Sequence, residues 1–222
     1  LAVYAAGWLR TRDGEAPVAP DPSLSHAADM LQMATGRAPT EEAVRALDAY
    51  LVTVIDHGFN ASTFTARVVA STQSDAVSAV VAALGALKGP LHGGAPGPVL
   101  DMLDAIATPG GARPWLEAEL AAGRRIMGVG HRVYRVRDPR AAVLERATKA
   151  LATAGLATDR LALAAAVEET AVALLRERHP DRPLAANVEF YTAVLLDAVG
   201  VPREAFTTTF AVGRVAGWLA HV

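Results

Sequence analysis

The sequence contains no cysteine. Disulfides, thiolate metal ligands and cysteine nucleophiles are therefore excluded, in agreement with a reducing compartment. Aromatic residues amount to only 5% although hydrophobic residues reach 52%. The apolar surface thus comes from Ala, Val and Leu, the composition of closely packed helices. No apolar run reaches the roughly 18 to 20 uncharged residues that a membrane span requires, and no charged-then-apolar leader opens the chain. A soluble, cytoplasmic protein is expected. Strand alternation, internal repeats and low-complexity linkers are lacking too, so the expected fold class is all-α, and 222 residues suffice for one or two domains. Lysine is scarce: 19 of the 21 basic residues are Arg, and seven of these lie between Arg124 and Arg146, opposed there by Asp138 and Glu145 alone. A net charge of −2 argues against bulk nucleic-acid binding. The local excess reads either as a solvated basic face or as an anion site, because guanidinium binds carboxylate and phosphate through paired hydrogen bonds.

Helix punctuation is frequent. Ser25 is a candidate N-cap for a helix to Thr35, and Thr40-Glu-Glu opens another through Ile55. Ala61 to Ser71 reads as helical. Val77, Val80, Val81, Leu84 and Leu87 recur at the spacing of one buried helical stripe, closed by Gly89-Pro90. Pro96 and Pro98 sit where a missing N–H costs little, at a helix start. Further helices are expected over Trp115 to Ala122, Asp138-Pro139 to Leu151, Arg160 to Arg178, Val188 to Val199 and Thr208 to Val222. Leu1 and Val222 both fall inside helical patterns, so an N- and C-terminally incomplete chain is expected.

Three segments carry groups that move or polarise a proton: Leu87-Lys-Gly-Pro-Leu-His92-Gly-Gly-Ala95, Gly128-Val-Gly-His131 with its Arg-rich continuation to Arg140, and Asn187-Val-Glu189-Phe-Tyr191. His92 stands among glycines that let backbone approach a ligand, although such bends also occur as plain turns. Gly128-Val-Gly-His131 lacks the third glycine, the preceding strand and the later acid of a dinucleotide site; it reads better as a bend whose amides face an anion. His92 and His131 have no third ligand at metal spacing, and no serine sits on a nucleophile elbow. Neither a metal nor a permanent cofactor is expected. His26, His179 and His221 read as structural. Asp56-His57-Gly-Phe-Asn60-Ala-Ser62 forms a polar cluster that, on a helix, would place His57 and Asn60 on one face; a buried hydrogen-bonded network is the plain alternative. Arg214, among small apolar residues, needs an anionic partner from protein or ligand.

Taken together, Asp56 to Thr72, the His92 bend, the His131 turn with Asp-Pro-Arg140, Asn187 to Tyr191, and Phe210 to His221 resemble the citrate synthase family in family order, across essentially the whole chain. That resemblance implies a homodimer of helical subunits, each with a large domain (here residues 1–94 and 191–222) and a small one (95–190). It implies condensation of oxaloacetate with acetyl-CoA, or with propionyl-CoA in 2-methylcitrate synthases, and hydrolysis of the resulting thioester. The CoA thioester is a co-substrate. By the same resemblance His92 contacts the thioester oxygen, Glu189 removes a methyl proton and His131 polarises the ketone. His57, Arg140 and Arg214 hold the oxaloacetate carboxylates, and Gly128, Val129, Gly130 and Arg135 approach CoA.

The chain departs from the family pattern at 189, where Asp is usual and Glu stands here. Pro96 replaces a usual Asn, and Ala185-Ala186 replaces larger residues. The added methylene displaces the carboxylate by on the order of 1 Å unless backbone compensates, a misplacement that can cost roughly a hundredfold in rate. Glu is chemically competent as a base, so the departure reads as a subfamily variation rather than lost activity; a non-catalytic CoA- or dicarboxylate-binding relative is the alternative, favoured by Glu189 together with the short chain.

Overall fold

The computed structural model describes residues 1–89, 92–93, 96–130, 138–181 and 184–222. Among them the ordered elements are helical, and the one β-type contact is an isolated antiparallel bridge between Val129 and Ala186. Contacts divide the chain into two compact units, Leu1–Ala95 with Gly200–Val222, and Pro96–Val199. The second crossing thus lies at Gly200, where an expected return at residue 191 would cut a continuous helix.

The first unit contains α1 (Ala2–Arg12), α2 (His26–Thr35), α3 (Glu41–Val54), α4 (Ala61–Ala70), α5 (Ala76–Leu87) and α11 (Phe206–His221). The caps explain their starts. Ser25, Thr40, Asn60 and Asp75 have extended backbone, and each accepts a hydrogen bond from an amide in the first turn of the helix that follows, satisfying a donor that would otherwise be orphaned. Asn60 is therefore a cap in a loop, not a helical neighbour of His57.

The expected α5 stripe is rotated. Val77 and Val81 are 71% and 60% exposed, whereas Ala79, Ala83 and Leu87 are fully buried, packed with Ala66 of α4 and with Ala211 and Trp218 of α11. Alanines permit a close helix approach that valines would block, so the small residues face inward. At the crossing of α11 over α3, a Cβ on Gly213 would lie 2.6 Å from Val54 Cγ2, and one on Gly217 only 1.9 Å from the Ile55 carbonyl oxygen. No side chain fits at 217.

The second unit holds α6 (Gly97–Ile106), a short 3-10 turn, α7 (Ala112–Ala121), α8 (Pro139–Thr153), α9 (Thr158–Arg178) and α10 (Val188–Ala198). Helix α7 starts earlier than expected, because Pro114 occupies its first turn, where no intrahelical N–H is required. Helix α10 packs on α6, α8 and α9. Every residue from Phe190 to Leu196 is buried, as an apolar-all-round helix demands. At its far end Asp197 accepts from Arg160 Nε at 3.0 Å, and the same guanidinium reaches Asp104 at 2.7 Å, tying α9 to α6 and α10.

Candidate functional site

In the first unit the His92 turn is held by backbone. The His92 amide donates to the Gly89 carbonyl at 2.9 Å, the Gly93 amide donates to Leu87 at 2.8 Å, and Thr207 Oγ1 donates to the Gly93 carbonyl at 3.0 Å. A Cβ on Gly93 would meet the Leu87 oxygen at 2.5 Å, so the glycine is required by space. The half-buried imidazole then meets Ser62, whose Oγ lies 2.8 Å from His92 Nε2 and 2.8 Å from Asn60 Oδ1. Trp218 Nε1 donates to the same Oγ at 3.1 Å. One hydroxyl proton faces two acceptors. When it points at Nε2, the neutral ring carries its own proton on Nδ1 and can donate there.

Burial first, and then the Arg214 charge, push the His92 pKa below its ordinary value of 6.5. The folded state therefore keeps this ring neutral where the unfolded chain would already protonate it. His92's contribution to stability is complete above pH 6.5 and falls as pH drops toward the folded pKa. Denaturant midpoints between about pH 7 and 5 should decline less steeply in His92→Gln than in the parent; parallel slopes would remove His92 as a source of the dependence.

Arg214 is 1% exposed. Its Nε donates to the Val54 carbonyl at 2.5 Å, and its guanidinium lies 4.8 Å from the centroid of the Phe210 ring, whose edge approach to His92 is 6.1 Å. Burial raises the Tyr50 pKa strongly, against the opposing effect of the Arg214 charge, so this phenol stays protonated. His57 lies exposed in the loop between α3 and α4. Beside it, Asp56 accepts from the Gly58 amide at 3.2 Å and pairs with His221 at 3.1 Å.

In the second unit Asp138, 3% exposed, caps α8 and binds Arg140 twice, accepting from its Nε at 3.1 Å and from Nη2 at 2.8 Å. The pair fixes the guanidinium plane while leaving donors on Nη1. Gly128 and Gly130 have φ of +74° and +83°, and a Cβ at 128 would stand 2.8 Å from that of Phe190. This segment runs alongside Ala185–Asn187: Gly130 N donates to Ala185 O at 2.9 Å, Asn187 N to Gly128 O at 2.9 Å, and Asn187 Nδ2 to Gly130 O at 2.8 Å. The Gly130 amide expected to face an anion is thus engaged by protein. Asn187 also caps α10, accepting from Phe190 N at 3.2 Å. The strap therefore fixes the turn that carries Glu189, a half-buried residue whose buried Oε2 has no hydrogen-bond partner among the described residues.

The structure brings His92 and Arg214 together in the first unit, and places Glu189 next to the Gly128, Val129 and Gly130 strap in the second. His131 and Arg135 lie outside the described residues. The partners were not foreseen from the sequence: Ser62 for His92, Trp218 for Ser62, Phe210 beneath Arg214, and Asp138 for Arg140. Only Asp138 left a local signal, as a carboxylate two residues before its guanidinium.

Fold and site define a class: an all-α protein of two helical units, the first holding the His92 imidazole and the Arg214 guanidinium, the second the Glu189 carboxylate and the Arg140 guanidinium. The family described as "Citrate synthase, C-terminal domain" matches residues 1–222. A protein of Mycobacterium tuberculosis described as putative citrate synthase 2 is 49% identical over 184 residues, covering 83% of this chain and 48% of that protein. The citrate synthase of Deinococcus radiodurans is 42% identical over 96% of this chain and 55% of its own length. Among solved structures, the Pyrobaculum aerophilum citrate synthase superposes with a TM-score of 0.89 at 41% identity, covering 99% of this chain and 54% of that one. The Thermoplasma acidophilum enzyme, solved as a ternary complex with carboxymethyl coenzyme A and oxaloacetate, gives 0.86 at 31% identity, covering 99% and 58%. The chain belongs to the citrate synthase family. It spans about half the length of these relatives.

Proposed function

We propose that the protein containing this chain condenses acetyl-CoA with oxaloacetate to give citrate and CoA. The observation that carries the reading is the first turn of α10, where Glu189 keeps a buried carboxylate oxygen without a partner among the described residues. Such an oxygen is suited to take a proton from carbon. A thioester methyl is a far weaker acid than a carboxylic acid, and each pKa unit of mismatch costs about 1.4 kcal/mol. A carboxylate alone cannot meet that cost. Charge developing on the thioester oxygen has to be met by a placed donor, the role assigned to the neutral His92 ring, oriented by Ser62.

In the proposed sequence Glu189 removes a methyl proton and His92 hydrogen-bonds the enolate oxygen. The nucleophilic carbon adds to the oxaloacetate ketone, whose oxygen takes a proton from His131. Water then cleaves the thioester, releasing CoA and citrate. His57, Arg140 and Arg214 hold the carboxylates of oxaloacetate, while Gly128, Val129, Gly130 and Arg135 approach CoA. The Asp138 clamp on Arg140 supports an oriented guanidinium, and the bound carboxymethyl coenzyme A and oxaloacetate of the Thermoplasma relative support the substrate pair. Assembly as a homodimer is supported by Phe64 and Val68 on α4 and by Val77 and Val81 on α5, large apolar side chains that are exposed in the single chain.

Thiol release from acetyl-CoA and from propionyl-CoA, each with oxaloacetate, tests the reading. Faster release from acetyl-CoA is the expected result. Preference for propionyl-CoA would make the protein a 2-methylcitrate synthase, and calorimetric binding of both substrates without thiol release would make it a non-catalytic binding relative.

A further inference from the structure

Helix α10 is held differently on its two sides. Toward the Gly128–Gly130 strap its first turn is fixed by three hydrogen bonds and by the contact of Phe190 with Gly128. Toward α8 and α9 it borders an apolar cavity of about 260 Å³, whose lining includes Ala162, Ala164, Ala165 and Val194. The Tyr191 ring also lines the cavity, with the Phe190 ring edge-on to it at 5.5 Å between centroids. A hydrogen bond crosses this side, from the Tyr191 hydroxyl to Glu168 Oε1 of α9 at 2.5 Å. Glu189 and Tyr191 are two positions apart, about 200° around a helix of 3.6 residues per turn. They point to nearly opposite faces, so a tilt of α10 toward the cavity carries the Glu189 carboxylate with it and withdraws it from the face to which it points.

We propose that Tyr191, through its hydrogen bond to Glu168, is a positioning residue that sets where the first turn of α10 presents Glu189. The inference rests on the reading of Glu189 as the base. Carbon-acid chemistry makes the placement consequential, since a displacement of about 1 Å can lower a rate roughly a hundredfold, and an open cavity offers room for such a displacement.

The experiment compares the intact protein with Tyr191→Phe and Glu168→Gln, measuring thiol release from acetyl-CoA and from its trideuterated form. Tyr191→Phe removes one oxygen and is expected to lower kcat about tenfold, to leave the oxaloacetate KM within about twofold, and to raise the isotope effect as proton removal becomes slower. Glu168→Gln keeps a carbonyl acceptor for the hydroxyl and should hold kcat closer to the parent. If Tyr191→Phe does not fold, Glu168→Leu, which removes the acceptor, replaces it in the comparison with Glu168→Gln. A parent enzyme that releases no thiol would sink the reading of Glu189 itself. An active parent with an unchanged isotope effect in the variant overturns the positioning role alone.

Discussion

Glu189→Gln is expected to lower kcat by about three orders of magnitude while oxaloacetate and CoA affinities stay within about twofold, the signature of losing a proton acceptor rather than a binding contact. Gln matches the length and shape of Glu, so the first turn of α10, fixed by the Asn187 cap and the Gly128–Gly130 strap, has no reason to move. Stability should be unchanged or slightly raised, because Oε2 is buried without a partner among the described residues, and a buried charged oxygen is costly when unmatched. Stopped-flow thiol release, calorimetry and thermal unfolding on one preparation separate these effects. Retained turnover in the variant would remove Glu189 as the base, and a joint loss of binding and stability would give it a structural role. The comparison also addresses the methylene by which Glu exceeds Asp: Glu189→Asp should change kcat without abolishing it.

Gly217→Ala is expected to be the most destabilising of the simple substitutions, by about 3 kcal/mol. The added Cβ would meet the Ile55 carbonyl oxygen at 1.9 Å and its carbon at 3.0 Å. Backbone atoms at the end of α3 cannot rotate away, so α11 must lift as a whole. Its neighbours show what that disturbs: Arg214 donates to Val54, Trp218 donates to Ser62, and His221 pairs with Asp56. The Gly213→Ala change is the control. Its Cβ meets the Val54 side chain at 2.6 Å, which can turn, so a loss nearer 1 kcal/mol is expected. For a chain of this size the larger figure corresponds to roughly 10 °C in midpoint temperature. Equal losses at 213 and 217 would mean that the crossing relaxes and that the carbonyl contact is not limiting.

Much of the helical order was legible because caps are local. Ser25, Thr40 and the Asp138-Pro139 pair announce helix starts within a few residues, and the structure uses each of them. The face of α5 was not legible. Its valines and alanines both follow helical spacing, and only the approach of α4 and α11 decides that Ala79 and Ala83 turn inward while Val77 and Val81 stay out. The site divides in the same way. His92, Arg214 and Glu189 stand in recognisable segments, whereas the bond from His92 to Ser62 joins positions 30 apart and that from Trp218 to Ser62 joins positions 156 apart. Such pairings are properties of packing, and no spacing rule in the chain contains them.

The division at Ala95 and Gly200 also orders events during synthesis. The second unit is one uninterrupted stretch, Pro96–Val199, and all of its helices have been made before α11 exists. The first unit must wait, since Ala211 and Trp218 complete the core that Ala66, Ala79 and Ala83 begin. Its early helices therefore leave the ribosome with an apolar face uncovered, and closing that face requires a contact across more than half of the chain, the kind of pairing that slows folding and invites association in the meantime. Were Pro96–Val199 to fold before α11 is made, it would shorten the effective separation between the two stretches that the first unit has to bring together.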